Sequence, residues 1–272
     1  MSQQESNAYI LGTETAELHR LGLQHQVWSS EAIKGWELAG FTAGQTLLDL
    51  GCGPGFCTTE LAYIVGQHGK VIGVDKSEYY IDFLNRVTEQ FSLNIETQCC
   101  DFDDMQLANN SLDGVYDRWA LAWIPNPKDV LTKLHKALKV GGTVVTQEYF
   151  DWSTLQTEPR IPALDKAIAA ALQSFREQNG NIDVGRNLPI YFEDCGYEVI
   201  GTRPLTKMAT PQEFTWHWPK SFFHIYFPKL VDAGYLTHQE VDEALAAFAD
   251  LEQMQGATIF TPAMREVIAR KK

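Results

Sequence analysis

Residues 47–56 read LLDLGCGPGF. An apolar run closes on Asp49 and Leu50, and glycines follow at alternate positions, Gly51, Gly53 and Gly55. A strand entering such a turn can bring bare backbone against a ligand, because glycine accepts positive φ and has no Cβ to hold the ligand away. The spacing is G-x-G-x-G, out of step with the G-x-G-x-x-G that cradles a dinucleotide pyrophosphate. Phe56 stands where that fingerprint has its third glycine.

Around the turn, strand-like and helix-like stretches alternate. Thr46–Leu50 reads as a strand and 58–65 as a helix ended by Gly66 and Gly69. KVIGVD (70–75) is a second strand, followed by a helix over 77–91 capped by Ser77. NIETQ (94–98) and LDGVYD (112–117) are further strands, 127–138 an amphipathic helix, and GGTVVTQEY (141–149) a turn and fifth strand. This rhythm predicts an α/β fold, a Rossmann-like, mostly parallel sheet with helices on both faces. Residues 13–39 read as two helices breaking near Ser29-Ser30, 161–178 as one long helix, 197–210 as two strands joined near Arg203-Pro204, and the tail from Pro211 as helical. The domain reading is an N-terminal helical lid (1–41), a core (42–150 and 185–210), and a helical substrate cap (151–184 and 211–272).

The chain has 272 residues, 44% of them hydrophobic, and a formal net charge of −13, so a large core is expected and nucleic acid is disfavoured as a partner. No apolar run approaches the roughly 18 residues of a membrane span, and the polar N-terminus lacks a signal-peptide core. Five cysteines, an odd number with no C-x-x-C, suit a reducing, cytoplasmic setting. Neither the cysteines nor the scattered histidines have metal-ligand spacing, so no metal is expected. Cys52 and Cys57 read as small fillers, with no histidine partner implied by spacing.

The ligand follows from acids at strand ends. Asp75 closes the second strand, where a carboxylate can accept from both ribose hydroxyls. Asp49, if it lies beside the turn, disfavours a pyrophosphate and favours a cationic ligand. Asp101 lies just past the third strand, placed to accept from an adenine amino group, with Phe102 or Met105 against the ring. S-adenosylmethionine has a ribose, an adenine, an ammonium and a sulfonium, and no phosphate. A nicotinamide-dependent oxidoreductase and a non-catalytic S-adenosylmethionine-binding module remain the alternatives.

LLDLGCGPG, VIGVDKS, CDFDDMQLANNSLDGVYDRWALAWIPNP and LHKALKVGGTVVTQEY, in that order, resemble the motifs of the class I S-adenosylmethionine-dependent methyltransferases. Within them the chain is similar to the small-molecule branch related to quinone-biosynthesis C-methyltransferases. The resemblance implies a seven-stranded sheet whose last inserted strand is antiparallel. It also implies a cofactor site at Gly51, Cys52, Gly53, Asp75, Lys76, Asp101, Phe102, Arg118 and Trp119. YILGTETAELHRLGLQHQVW resembles a lid segment, which adds Tyr9, Arg20 and Gln24, with Arg20 placed to pair with the cofactor carboxylate. DRWALAWIPNP stands where Asp/Asn-Pro-Pro-Tyr serves enzymes that methylate adenine or glutamine nitrogens, which points to a small-molecule acceptor instead.

Methyl transfer from a sulfonium needs mainly positioning and exclusion of water, and a base only where the acceptor must lose a proton. His224, His217, Glu148 and Tyr149 are candidates by position alone, and the catalytic residue stays unassigned. Trp123, Tyr149 and Phe223 are the expected acceptor-binding residues. FTWHWPKSFFHIYFPKL (214–230) reads as a cap helix packed into the core, or as an aromatic wall for a flat or apolar acceptor.

Overall fold

The computed structural model describes residues 15–272. Helix α1 (Thr15–Ala39) is followed by β1 (Thr46–Leu50), α2 (Phe56–Val65), β2 (Lys70–Asp75), α3 (Glu78–Phe91), β3 (Ile95–Cys99), β4 (Leu112–Arg118), α4 (Pro127–Ala137) and β5 (Leu138–Asp151). Then come β6 (Gln156–Glu158), α5 (Pro162–Arg176), α6 (Leu188–Asp194), β7 (Tyr197–Leu205), β8 (Met208–Ala209), α7 (His217–Asp232), α8 (His238–Leu251), β9 (Thr258–Phe260) and β10 (Ala263–Lys271).

Seven strands form one sheet in the order β3-β2-β1-β4-β5-β10-β7. The pairs from β3 through β5 are parallel, and β10 is antiparallel to both its neighbours. This is the seven-stranded sheet with an antiparallel last insertion that the motif resemblance implies. The central strands read as apolar runs because helices cover both faces, burying Leu47, Leu48, Leu50, Val115 and Tyr116. Strand order reverses between β1 and β4, so their carboxyl ends open the crevice in which such sheets bind ligands.

Three expectations are corrected. Helix α1 runs unbroken through Ser29 and Ser30. The Ser29 hydroxyl donates back to Gln26 O (3.3 Å), while Val27, Trp28, Ala32 and Trp36 keep one face buried. Strand β7 also runs straight through Arg203-Pro204, with no turn there. It is an edge strand, where proline's missing N–H is tolerated. The tail is helical only through α8; β9 then joins β6 and β8 in a small sheet, and β10 enters the main sheet. Glu266, fully buried in β10, accepts from Arg203 Nε (2.5 Å) and Nη2 (2.9 Å) and from Gln147 Nε2 (2.7 Å).

The α3 cap is as read, with Ser77 Oγ accepting from Tyr80 N. Helices α5, α7 and α8 pack on one another, and α7 packs on α1.

Candidate cofactor and acceptor site

The glycine turn closes β1. Gly51, Gly53 and Gly55 all have positive φ (68°, 51° and 83°). A Cβ on Gly51 would lie 2.4 Å from Ala120 Cβ, so this glycine lets the turn pack on the segment after β4. At Gly53 a Cβ would meet nothing within 4 Å; here the backbone faces open space that a ligand can fill. Gly53 N donates to Asp75 Oδ2 and Ser77 N to Oδ1, both at 2.9 Å. These bonds fix the carboxylate at the β2 end, and each oxygen keeps a lone pair for a ribose hydroxyl. Burial raises the Asp75 carboxyl above its ordinary range, against those two N–H donors.

Phe102 reaches the turn, with Cζ 3.5 Å from where a Gly51 Cβ would stand. Asp101 and Lys76 are exposed at the ends of β3 and β2. Cys52 and Cys57 are buried, and burial pushes Cys52 well up and Cys57 to about 12, so both are inert fillers. Cys57 does have a histidine neighbour, contrary to the spacing argument, because Sγ lies 3.6 Å from His25 Nδ1.

Asp49 does not face the ligand edge. It is buried and accepts from the Thr58 hydroxyl at 2.6 Å, and burial pushes its carboxyl up to about 7. Its work is to tie β1 to α2, and the charge argument against a pyrophosphate loses most of its force.

Beyond β4, Trp119 holds a positive φ of 59°, a costly state for a bulky residue. It stacks on Tyr149 (5.6 Å between ring centroids) and Trp218 (5.8 Å), and meets the edge of Trp28 (6.2 Å). These rings open onto a cavity of about 50 Å³. Its wall also carries Arg20, Gln24, Trp123, Trp152, Phe175 and Phe222. Gln24 Oε1 accepts from Arg20 Nη1 (2.9 Å) and Trp218 Nε1 (2.8 Å), joining α1 to α7 across the wall.

A family model described as "Methyltransferase domain" matches residues 41–190, more than half of the chain. The chain belongs to that methyltransferase family. It is 31% identical over 200 residues to demethylmenaquinone methyltransferase of Oceanobacillus iheyensis, covering 67% of this chain and 81% of the relative. It is 28% identical over 184 residues to sterol 24-C-methyltransferase of Saccharomyces cerevisiae, covering 66% of this chain. The chain spans about half the length of the yeast protein (46%) and of a 37.1 kDa transposon protein of Streptomyces fradiae (47%). A structure of a geranyl diphosphate C-methyltransferase from Streptomyces coelicolor A3(2) has the same fold, with TM-score 0.57 and 17% identity, covering 91% of this chain and 77% of that one. Motif order, strand order and family make this a class I S-adenosylmethionine-dependent methyltransferase domain. The nicotinamide reading is thereby set aside.

Several sequence expectations for the methyltransferase shift in detail. Tyr9 lies outside the described residues. Arg20 and Gln24 share a helix face and reach the cavity, but Glu17 holds Arg20 through Nε (2.7 Å) and Nη2 (2.6 Å). Trp123 and Tyr149 line the cavity. Phe223 does not; it is fully buried between Phe227 and Phe248, and its neighbour Phe222 faces the cavity instead. His217 and His224 are exposed and outside the wall. Glu148 is fully buried, with Oε1 accepting from Leu121 N at 2.8 Å, so it is no base for an acceptor. Sequence reasoning missed Trp152 and Phe175 as wall residues, reached Trp218 only through the aromatic-wall reading of 214–230, and missed His25, whose only sequence signal was its place in the lid segment.

Among the described residues no group of acids, histidines and cysteines is arranged to hold a metal. Nor is any helix there long and apolar enough to cross a membrane.

Proposed function

We propose that this domain transfers the methyl group of S-adenosylmethionine to a small, flat, uncharged and electron-rich acceptor held against Trp119. The bound cofactor supplies an electrophilic methyl on its sulfonium. Gly53 and Asp75 receive the ribose side, and Phe102 with Asp101 and Lys76 the adenine side. Gly51 and Cys52 shape the turn beneath it. Arg118 and Trp119 lead from cofactor to acceptor, and Trp123, Tyr149 and Phe222 complete the acceptor wall.

The observation that carries this reading is the position of Trp119. The ring next in chain to the β4 end is held at positive φ and forms one wall of an aromatic cavity. Backbone strain of this kind persists where packing over-determines it, and here Tyr149 and Trp218 supply that packing. Charge supports the acceptor class. Among the described residues the wall has one cationic side chain, Arg20, which Glu17 neutralises, and no carboxylate. A charged acceptor would give up its hydration there without a counter-charge. With His217, His224 and Glu148 out of reach, Tyr149 is the one base candidate read from the sequence that stands on the wall, and an electron-rich acceptor needs least from it. Demethylmenaquinone and sterol, the substrates named for two relatives, are apolar as well.

At about 50 Å³ the cavity holds a few waters and no ring molecule. Admission of the acceptor therefore requires the wall to part, and the α1–α7 seam at Gln24 is its polar joint. The test is transfer of isotope-labelled methyl from S-adenosylmethionine across neutral planar, cationic and carboxylated acceptors, read by mass spectrometry. Label on the neutral planar set is expected. Transfer confined to charged acceptors would refute the acceptor class, and tight cofactor binding with no transfer would favour a non-catalytic module.

A further inference from the structure

Two arginines lie close to the site, and they differ in how their charge is met. Both ends of the Arg20 fork are committed to Glu17, and Nη1 to Gln24. Arg118 forms no ion pair with any described residue. Its Nη2 donates to His25 Nδ1 (3.3 Å), and its Nη1 is buried with no partner. A buried guanidinium donor without an acceptor is costly unless a ligand completes it.

The surroundings fix the Arg118 side chain at the turn. It ends β4, the strand beside β1, and its guanidinium lies 5.0 Å from the centre of the Trp119 ring. His25, its one acceptor among the described residues, also touches Cys57 and stacks on Phe56 (5.7 Å), the first two residues of α2 after the glycine turn. The Nε2–H of His25 donates to Glu60 Oε1 (3.1 Å), which leaves Nδ1 as the acceptor that Arg118 needs. Burial works against the charged guanidinium, and the neighbouring acids Asp49 and Glu60 favour it.

We infer that Arg118, and not Arg20, holds the α-carboxylate of the bound cofactor, through Nη1, with His25 as its positioning residue. This rests on the cofactor reading above. Arg20 instead belongs to the α1–α7 seam. The geometry suits a guanidinium–carboxylate pair, the ligand chemistry arginine matches best.

The test varies the ligand and the protein together and reads binding, not turnover. Calorimetry compares S-adenosylhomocysteine with its decarboxylated analogue and with 5′-methylthioadenosine, which lacks the amino-acid part. Wild type should lose about 10- to 100-fold in affinity on decarboxylation, the value of a charge-assisted pair. Arg118→Met should bind S-adenosylhomocysteine about as weakly as wild type binds the analogue, and should discriminate between the two by less than about 3-fold. Its affinity for 5′-methylthioadenosine should match that of wild type, which also shows that the variant is folded. Arg20→Met should keep the wild-type discrimination. Full discrimination in Arg118→Met, or its loss in Arg20→Met, overturns the assignment. No discrimination by wild type also overturns it, using the unaltered protein. If wild type binds none of the three adenosine ligands, the cofactor reading fails with it.

Discussion

Glu148→Gln is expected to stabilise the protein, and to do so more as pH rises. Glu148 and Asp117 are both fully buried, at the ends of neighbouring strands β5 and β4. Each has one oxygen with a backbone donor, Leu121 N on Glu148 Oε1 (2.8 Å) and Ala120 N on Asp117 Oδ1 (3.3 Å). The remaining oxygens, Glu148 Oε2 and Asp117 Oδ2, have no donor from any other described residue. Burial pushes Asp117 up to about 7; burial together with the Asp117 charge pushes Glu148 well above the usual carboxylate range. The two carboxyl groups therefore share a proton at neutral pH, with Glu148 as donor to Asp117.

The unfolded chain releases these protons near the ordinary values of 3.8 and 4.5. Above that range the folded state holds more protons than the unfolded one, so stability falls as pH rises toward the folded values. Each retained proton costs up to about 1.4 kcal/mol per pH unit. Glutamine keeps the Leu121 bond on its oxygen, offers an N–H to Asp117 Oδ2, and holds no titratable proton. The expected gain is about 1–3 kcal/mol at pH 8 and under about 1 kcal/mol at pH 5, allowing for screening and relaxation in the real interior. For a chain of this size that is a rise of roughly 2–10 °C in Tm at pH 8. Thermal unfolding of wild type and variant at half-unit steps from pH 5 to 8 reads it. A Glu148→Gln variant destabilised by the same amount at every pH would refute the shared proton.

Gly51→Ala should weaken S-adenosylhomocysteine binding by at least about 10-fold in calorimetry, because its Cβ would lie 2.4 Å from Ala120 Cβ at a φ of 68° that only glycine adopts freely. Phe223→Ala should cost about 3–5 kcal/mol of stability in denaturant unfolding, since it empties a fully buried site. Phe222→Ala should cost less stability and shift the acceptor range in the methyl-transfer panel; equal losses from the two variants would contradict their placement on opposite sides of the cavity wall.

What the sequence made legible was whatever is local. The run from Thr46 to Asp75 holds strand, turn, helix and strand in one unbroken stretch, and each boundary has its own chemical mark. Asp75 is readable because it closes β2 at the carboxyl edge of the sheet, where the Gly53 and Ser77 amides hold its carboxylate. Asp49, one residue earlier than the strand end, was misread, since only the packing of α2 reveals that its carboxyl turns inward to Thr58. Strand β10 stayed hidden because Arg265 and Glu266 interrupt its apolar pattern, and Glu266 is tolerable in the core only through Arg203 and Gln147, partners 63 and 119 residues away. The Ser29-Ser30 break failed for the converse reason: a weak local signal was overridden by the buried face of Trp28 and Trp36.

The same distinction divides the site itself. The cofactor half is drawn from consecutive strand ends and uses acids and glycines, residue types whose spacing carries meaning. The acceptor half is assembled from α1, the segment after β4, the end of β5, α5 and α7, and it is made of aromatic rings that could as readily be core. Phe222 and Phe223 show the limit: adjacent, identical and about 100° apart around a helix, they are separated only by where α8 lies. Under the proposed function, specificity in this domain rests on contacts between segments distant in sequence, and cofactor binding on short motifs. Substitutions in the motifs should change whether methyl transfer occurs, and substitutions in the dispersed wall should change which molecule receives it.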